Sequence, residues 1–540
     1  MVLLLSLAAC NATNPSGGML NDAPQSAGTT YWWNDTVFYE IFVRSFYDSD
    51  GDGIGDLQGI IQKLDYLNDG NPQTTDDLGI TGIWLMPVSQ SPSYHGYDVT
   101  DYYTIEEDYG SNDDFLALMD ACHSRGIKVV VDFVMNHCSS QHPWFIASQQ
   151  NDPEYADWFR WSSTDPGYLG PWGQPVWHQG ANGQYYYGIF WGGMPDLNYA
   201  HPPVKDAMRT IAAYWLQDMH TDGFRCDAVK HIFEDGQQLS NVPATFTWWE
   251  EFHDFYKSID ADAMAVGEAW DDTDIVVQYT DGRFDFCFEF AFAEAIIYGI
   301  NDGSALPVIN KIQEMKSLYP YHQYGTFLTN HDQNRVFNAL GESSAKARLA
   351  AAVYLTMGGI PFIYYGEEMG MKGMKPDPDI RRPMQWSGQS NAGFSSATPW
   401  HNLNSNYPSV NIEAQQADST SLWHWYRWLI QQRTAHPALS RGTIQMLNCS
   451  NINLLSILRQ SAEEALLVLH NFASATQAHI QATTTDLAPG SYQLQDLACG
   501  QNAGMLHIDQ DGKIAEELLL PRIETRETKL YKLQKIRMEE

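Results

Sequence analysis

Eight short apolar runs, rich in β-branched and aromatic residues, recur along the first two thirds of the chain and decide what it can fold into. They are VFYEIFV from 37, ITGIWLMPV from 80, IKVVVDFVMN from 127, GFRCDAV from 223, AMAVGEA from 263, FDFCFEF from 284, YGTFLTN from 324 and IPFIYYGEE from 360. Apolar residues are nearly continuous within each run, the pattern of a parallel strand covered on both faces. Amphipathic segments separate them. In SNDDFLALMDACHSRG, Ser111 or Asn112 can cap a helix start and Gly126 can end it, and HPPVKDAMRTIAAYWLQDM places Pro203 in a first helical turn. Eight strand–helix units imply an α/β fold, a (β/α)8 barrel of the TIM type rather than an open doubly wound sheet. The chain has 540 residues, about twice what such a barrel uses. The surplus falls in two places. Residues 138–199 form an aromatic, glycine-rich insertion after the third strand, suited to an irregular subdomain at the barrel mouth. Beyond about 440, the runs NLLSILRQ, EALLVLHNFAS, QAHIQAT and ETKLYKL read as antiparallel strands of a C-terminal β-sandwich over 441–540. The barrel then comprises 31–137 and 200–440, preceded by residues 1–30.

In such barrels functional groups gather at the C-terminal ends of the strands. The third run ends DFVMNH, the fourth continues as GFRCDAVKH, the fifth ends VGEAW and the seventh FLTNHD, so Asp132, Arg225, Asp227, Glu268 and Asp332 fall near one rim. Burying one unpaired carboxylate costs several kcal/mol, so a structural role for several together is hard to defend. Two carboxyl groups about 5 Å apart carry out retaining glycoside hydrolysis, one attacking the anomeric carbon and the other donating and then accepting a proton. Asp plus Glu outnumber Lys plus Arg by 66 to 31, a net charge of -35. That charge repels nucleic acid and anionic lipid and favours a neutral partner.

These segments resemble the conserved regions of the α-amylase family of glycoside hydrolases, family 13, in their usual order, with MPDLN at 194 as an auxiliary motif. The resemblance runs from Tyr31 into the C-terminal sandwich. It implies Asp227 as nucleophile, Glu268 as general acid/base and Asp332 as the residue that holds the distorted sugar. Arg225, two residues before Asp227, would keep it ionised by lowering its pKa. His95, His137 and His331 match positions that hydrogen-bond the same glucose, Tyr97 one that stacks on it, and Asp98 one that binds the terminal sugar in exo-acting glucosidases. Lys230 and His231 resemble the pair through which amylases contact glucose units beyond the scissile bond. The motif RRPMQW at 381 resembles oligosaccharide-cleaving glucosidases instead, and the mixture is similar to the bacterial group intermediate between α-amylases and oligo-1,6-glucosidases. The expected activity is an endo-acting α-amylase on starch and maltooligosaccharides. The alternatives are an α-glucosidase or maltodextrinase with transglycosylation, and a glucan-binding surface protein. In the insertion, Trp172, Trp177, Tyr185 to Tyr187 and Trp191 can serve as stacking platforms or as its core.

DSDGDGIGD from 48 sets Asp48, Asp50, Asp52 and Asp56 around a glycine turn, with the Ile54 carbonyl, as oxygen ligands of the kind calcium takes. The twelfth position is Gly59, not Glu, so the loop is not an EF-hand. The family resemblance implies a calcium loop here. It also implies a second calcium at Asn136, Asp196 and the carbonyl of His231, and a chloride at Arg225, Asn330 and Arg348. The N-terminal MVLLLSLAACN resembles the end of a bacterial lipoprotein signal with Cys10 lipidated, followed by a polar tether to Thr30, which implies an extracytoplasmic protein, lipid-anchored to the envelope or secreted, that touches membrane only through that anchor; a monomer is expected. The six remaining cysteines fit no zinc spacing.

Overall fold

The computed structural model describes residues 31–536 except 281, 321, 322, 450, 481, 482, 516 and 517. The leader, Cys10 and the tether lie outside the described residues. Among the described residues no helix is long and apolar enough to cross a membrane.

Eight parallel strands, β1 (Phe38–Ile41), β2 (Gly82–Leu85), β3 (Lys128–Phe133), β4 (Gly223–Cys226), β5 (Met264–Gly267), β6 (Phe286–Phe288), β7 (Tyr324–Thr326) and β8 (Ile360–Tyr364), close into a barrel. β1 pairs with both β2 and β8, which closes the ring in chain order. All eight apolar runs thus supply strands. Alternation along each strand sends one set of side chains inward. Phe38, Trp84, Val130, Met264, Val266, Phe286, Phe288, Ile360 and Phe362 form one buried cluster, with Phe38 stacked on Phe362 at 4.5 Å. The other set, including Tyr39, Ile83 and Val129, packs under the outer helices. Each side chain so buried contributes roughly 1.5–3 kcal/mol.

The helix after β2, Asn112–His123, starts at a Ser111 cap that accepts from the Asp114 amide. Asn112 is not the cap because its amide is engaged by the Tyr103 carbonyl and the Tyr214 hydroxyl. Gly126 follows the helix at φ +73, a left-handed turn position.

Residues 138–199 hold the helix Pro143–Gln149 and a three-stranded antiparallel sheet of Trp161–Ser162, Tyr185–Tyr187 and Trp177–Gln179. The insertion's aromatics divide. Tyr186 and Tyr187 are buried and Trp177 is half-buried against Tyr187. Trp172 and Trp191 are 60 % and 53 % exposed.

The C-terminal unit is a six-stranded antiparallel sheet packed with a two-stranded sheet of Thr476–Ile480 and Leu518–Ile523. The four expected strands are present. Gly490–Asp496 and Asn502–Ile508 are further strands, half-buried segments that alternate with polar residues and so carry a weaker apolar signal. One buried arginine, Arg459, joins this unit to the barrel, and a second, Arg433, braces the same helix end from within the barrel. Arg433 donates to the carbonyls of Leu355 and Met357, and Arg459 donates to those of Thr356 and Gly442. Both meet the C-terminal end of helix Ser344–Thr356, where its dipole is negative.

Candidate active site

Register brings the charges together. Asp132 on β3 is the direct partner of Arg225 on β4, Asp227 lies one residue beyond β4, and Glu268 immediately follows β5. The wholly buried Arg225 guanidinium is the hub. Its Nη1 donates to Asp132 Oδ1 and Oδ2 at 2.8 and 2.9 Å and to Asp227 Oδ1 at 2.7 Å. Its Nη2 lies 2.8 Å from Glu268 Oε2, so one guanidinium spans both carboxylates. The chain makes this turn with Ala228 in the left-handed region, φ 49, a strained conformation for a residue with a Cβ. The strain aims the Ala228 amide at Glu268 Oε2, 3.1 Å away.

Burial raises the pKa of both carboxyls and Arg225 only partly offsets it. Asp227, with Asp132 as a further raising charge, is pushed up to about 6, and Glu268 to about 7. Arg225 lowers the Asp227 pKa as expected, but desolvation outweighs one cation shared among three acids and leaves the carboxyl above its ordinary value. Glu268 is the group that keeps its proton longer. Asp332 is the opposite case. Burial opposes its charge, but His331 at 3.1 Å and Arg381 at 2.9 Å hold it well below the carboxylate range.

Asp227, Glu268 and Asp332 share the floor and walls of one open cleft of about 720 Å³ with His95, Tyr97, His137, Lys230, His231, Trp172, Phe190, Trp191, Trp270 and Arg381. Burial pushes His137 down to about 3 and His231 to about 4, so both are neutral imidazoles able to donate and accept. His137 Nε2 is buried without a partner, and His231 Nδ1 sits 2.8 Å from the Leu239 carbonyl. Trp172 stacks on Phe190, and both rings meet His231 edge-on. Arg225 and His331 lie beneath the cleft rather than in it. A rigid anion set beside a protonatable acid, walled by flat aromatic faces, suits displacement at a neutral sugar's anomeric carbon.

Other expected residues are placed differently. Asp98 is buried beside the cleft, its carboxylate accepting from the hydroxyls of Ser91 and Ser93, so it does not line the space for sugar. Lys230 does, but its ammonium already donates to the Trp270 carbonyl at 2.5 Å and to Asp271 at 3.1 Å. The three chloride residues are not brought together. Arg348 donates to the carbonyls of Thr420 and Ser421 and lies over Trp425, in a crevice against the C-terminal unit. Asn330 accepts from the Asp332 amide, and the carboxylates around Arg225 would repel an anion.

In the loop from Asp48 to Asp56, Asp48, Asp50 and Asp56 bring oxygens within 4.8 Å of one another. Asp52 is outside that group and accepts instead from the Ile54 amide at 2.7 Å. The three hard oxygen donors fit calcium chemistry. At the second set, Asn136 Oδ1 and Asp196 Oδ2 are buried and lack hydrogen-bond partners, and burial holds the Asp196 carboxyl well above its ordinary value. Unpaired buried oxygens of this kind fit a cation.

Several site residues carry little signal in the sequence. Arg381 lies in RRPMQW, whose one sequence cue is its likeness to glucosidases. Trp270 closely follows Glu268, and that proximity is its signal. Phe190 is hidden in the aromatic insertion. Glu40, a lone acid in the apolar run of β1, contacts His331 from below.

The catalytic-domain model of the α-amylase family matches residues 40–442. The chain belongs to the α-amylase family of glycoside hydrolases. It is 39 % identical over 448 residues to alpha-amylase 3 of Dictyoglomus thermophilum, covering 82 % of this chain and 85 % of that one. It is 34 % identical over 492 residues to the trehalose synthase/amylase TreS of Mycolicibacterium smegmatis, covering 80 % and 81 %. The crystal structure of an alpha-amylase from H. orenii superposes with a TM-score of 0.81 at 40 % identity, over 92 % of this chain and 99 % of that one. Within this α-amylase-family glycoside hydrolase, the matched region holds the whole charge cluster around Arg225.

Proposed function

We propose that this glycoside hydrolase is a retaining, endo-acting α-amylase that cleaves α-1,4-glucosidic bonds in starch and maltooligosaccharides. Asp227 attacks the anomeric carbon while Glu268 passes its proton to the leaving oxygen, giving a glycosyl ester on Asp227. Glu268, now a carboxylate, takes a proton from water as that water attacks the same carbon and frees Asp227. Asp332 stays ionised and holds the sugar's hydroxyls. The observation that carries the endo reading is the cleft itself. It extends past the carboxylates along Lys230, His231 and Trp270 and along Trp172 and Trp191, while Asp98, held at Oδ1 by Ser91 and Ser93, does not line it. The α-glucosidase or maltodextrinase reading, with transglycosylation, draws on RRPMQW and on the similarity to a trehalose synthase/amylase. Time-resolved products from amylose separate the two. Endo action gives a rapid viscosity fall with maltooligosaccharides first, and early glucose without that fall overturns it.

Calcium would be held by Asp48, Asp50, Asp56 and the Ile54 carbonyl, and a second ion by Asn136, Asp196 and the His231 carbonyl, bracing the loop after β1 and the insertion against the barrel. Chelation is expected to lower the melting temperature by several degrees, and unchanged melting and metal content reject both sites. Export with Cys10 lipidated follows from the apolar leader and polar tether. Cys10→Ser is expected to release the protein from the envelope, and unchanged envelope retention counts against it.

A further inference from the structure

The proposed chemistry leaves one buried acid at the site without a task. Glu40, on β1, has its side chain 2 % exposed and its Oε1 2.6 Å from His331 Nδ1. On the other edge of that ring, Nε2 lies 2.7 Å from the Tyr97 hydroxyl and 3.1 Å from Asp332 Oδ2. Both ring nitrogens therefore face oxygens, and two of those oxygens are carboxylate. A neutral imidazole has a single N–H: on Nε2 it leaves the Nδ1 lone pair against the Glu40 carboxylate, and on Nδ1 it leaves the Nε2 lone pair facing Asp332 Oδ2, met only if Tyr97 turns its hydroxyl proton to the ring, whereas an imidazolium donates on both sides.

We infer that Glu40 is a positioning residue that holds His331 as an imidazolium and so fixes the direction of the hydrogen-bond chain running from His331 through Tyr97 and Asp132 to Arg225. The inference rests on the glycosidase reading of Asp227 and Glu268. With Nε2 donating, the Tyr97 hydroxyl accepts from the ring and has its own proton free for Asp132 Oδ2, 2.9 Å away. Asp132 in turn remains a pure acceptor for Arg225, the nitrogen of which also binds Asp227. A neutral ring with its proton on Nδ1 would draw the Tyr97 proton to Nε2, strip Asp132 of a donor and remove the cation beside Asp332. The charges facing the ring agree. Glu40 lies below, Asp332 and Asp132 lie on the Tyr97 side, and Arg225 and Arg381 are spaced behind those acids. Trp84 contributes only an edge-on ring at 5.6 Å. Burial opposes the charge on His331, but Asp332 and Glu40 override it and push the imidazole up to about 9.

The test is an NMR titration of protein labelled at histidine Cε1, with His331 assigned by its loss in His331→Asn. In the unmodified protein His331 is expected to remain a cation through pH 8. Titration at or below the ordinary value of about 6.5 overturns the inference, whatever happens to any variant. Glu40→Gln keeps an acceptor of the same shape without the charge. Its His331 is expected to titrate about two pH units lower, with kcat near that of the parent at acid pH and at least about tenfold lower above the new pKa. A folded Glu40→Gln protein with unmoved His331 titration overturns the inference, including the case where kcat falls equally at every pH. The titration is read without substrate, so its failure is separate from failure of the Asp227 assignment, which the activity of Asp227→Asn decides.

Discussion

Two sets of carboxylates follow strands of this barrel, and their surroundings give them opposite characters. Asp227, Glu268 and Asp332 open onto the cleft and are tied to Arg225 or Arg381. Glu367 and Glu368, just past β8, are buried and accept from tyrosine hydroxyls. Glu367 takes Tyr354 and Tyr426 at 2.9 and 2.7 Å, and Glu368 takes Tyr39 and Tyr66 at 2.9 and 2.5 Å. The second oxygen of each has no partner. Burial raises the pKa in both sets, but the cleft acids retain cations and a route to substrate. Glu367, without an ion pair, is pushed up to about 8 and is neutral at pH 7. The difference teaches that an acid at a strand end becomes catalytic through what faces it, not through its place in the chain.

The largest effect that sharpens this contrast is chemical. Asp227→Asn is expected to lower kcat/KM on maltoheptaose by at least about 10³-fold, while Glu367→Gln leaves it within about twofold. An equal loss in both would break the distinction. Next in size is the pH profile. Asp227, pushed up to about 6, must be ionised, and Glu268, at about 7, must be protonated. Activity should therefore rise with pH through about 6 and fall above about 7, each limb steepening to about tenfold per pH unit. These limbs belong to the pair that shares Arg225 rather than to either residue alone. A broad plateau from pH 5 to 9 would mean that the two acids are not coupled through one guanidinium.

The fold was legible because parallel strands must be buried on both faces, and nothing but a nearly continuous apolar run satisfies that. The catalytic acids were legible for the same reason, since Asp132, Arg225 and Asp227 interrupt or end such runs where charge is costly. The run IPFIYYGEE shows the limit. Its two glutamates have the same signature as the cleft acids, and only the tertiary contacts with Tyr39, Tyr66, Tyr354 and Tyr426, from other segments of the chain, reveal that they face the core. Arg348 failed in the other direction, because an arginine on an amphipathic helix carries no sign of which neighbour it will meet. Glu40 stands out as an anomaly in β1, but its partner His331 lies 291 residues away.

The buried pair also makes a stability prediction. Glu367 has a folded pKa raised above its unfolded value, so it contributes stability that is fully present below about 4.5 and is lost as pH rises through about 8. Over that window the loss is on the order of a few kcal/mol, at about 1.4 kcal/mol for each pH unit separating the folded and unfolded values. Glu367→Gln should flatten this part of the stability curve, measured by denaturant melts from pH 5 to 8.5. The same slope in parent and variant would show that the carboxyl titrates normally and that the core set is not set apart by burial.

The smallest expected effect concerns a rim residue that belongs to neither set. Lys230 lines the cleft, yet its ammonium is already bound by Asp271 and the Trp270 carbonyl, so it clamps the turn after β4 to the segment that follows Glu268. Such a partly exposed pair contributes about 1 kcal/mol or less, and a sugar would gain only the donor capacity left over. Lys230→Ala should therefore raise KM for long maltooligosaccharides by roughly three- to tenfold, with kcat within about twofold. A fall in kcat of Asp227 size would place the lysine among the cleft acids' direct partners. An unchanged KM on both long and short substrates would mean that the ammonium never leaves Asp271 and that the wall beyond the carboxylates recognises glucan through its aromatic faces alone.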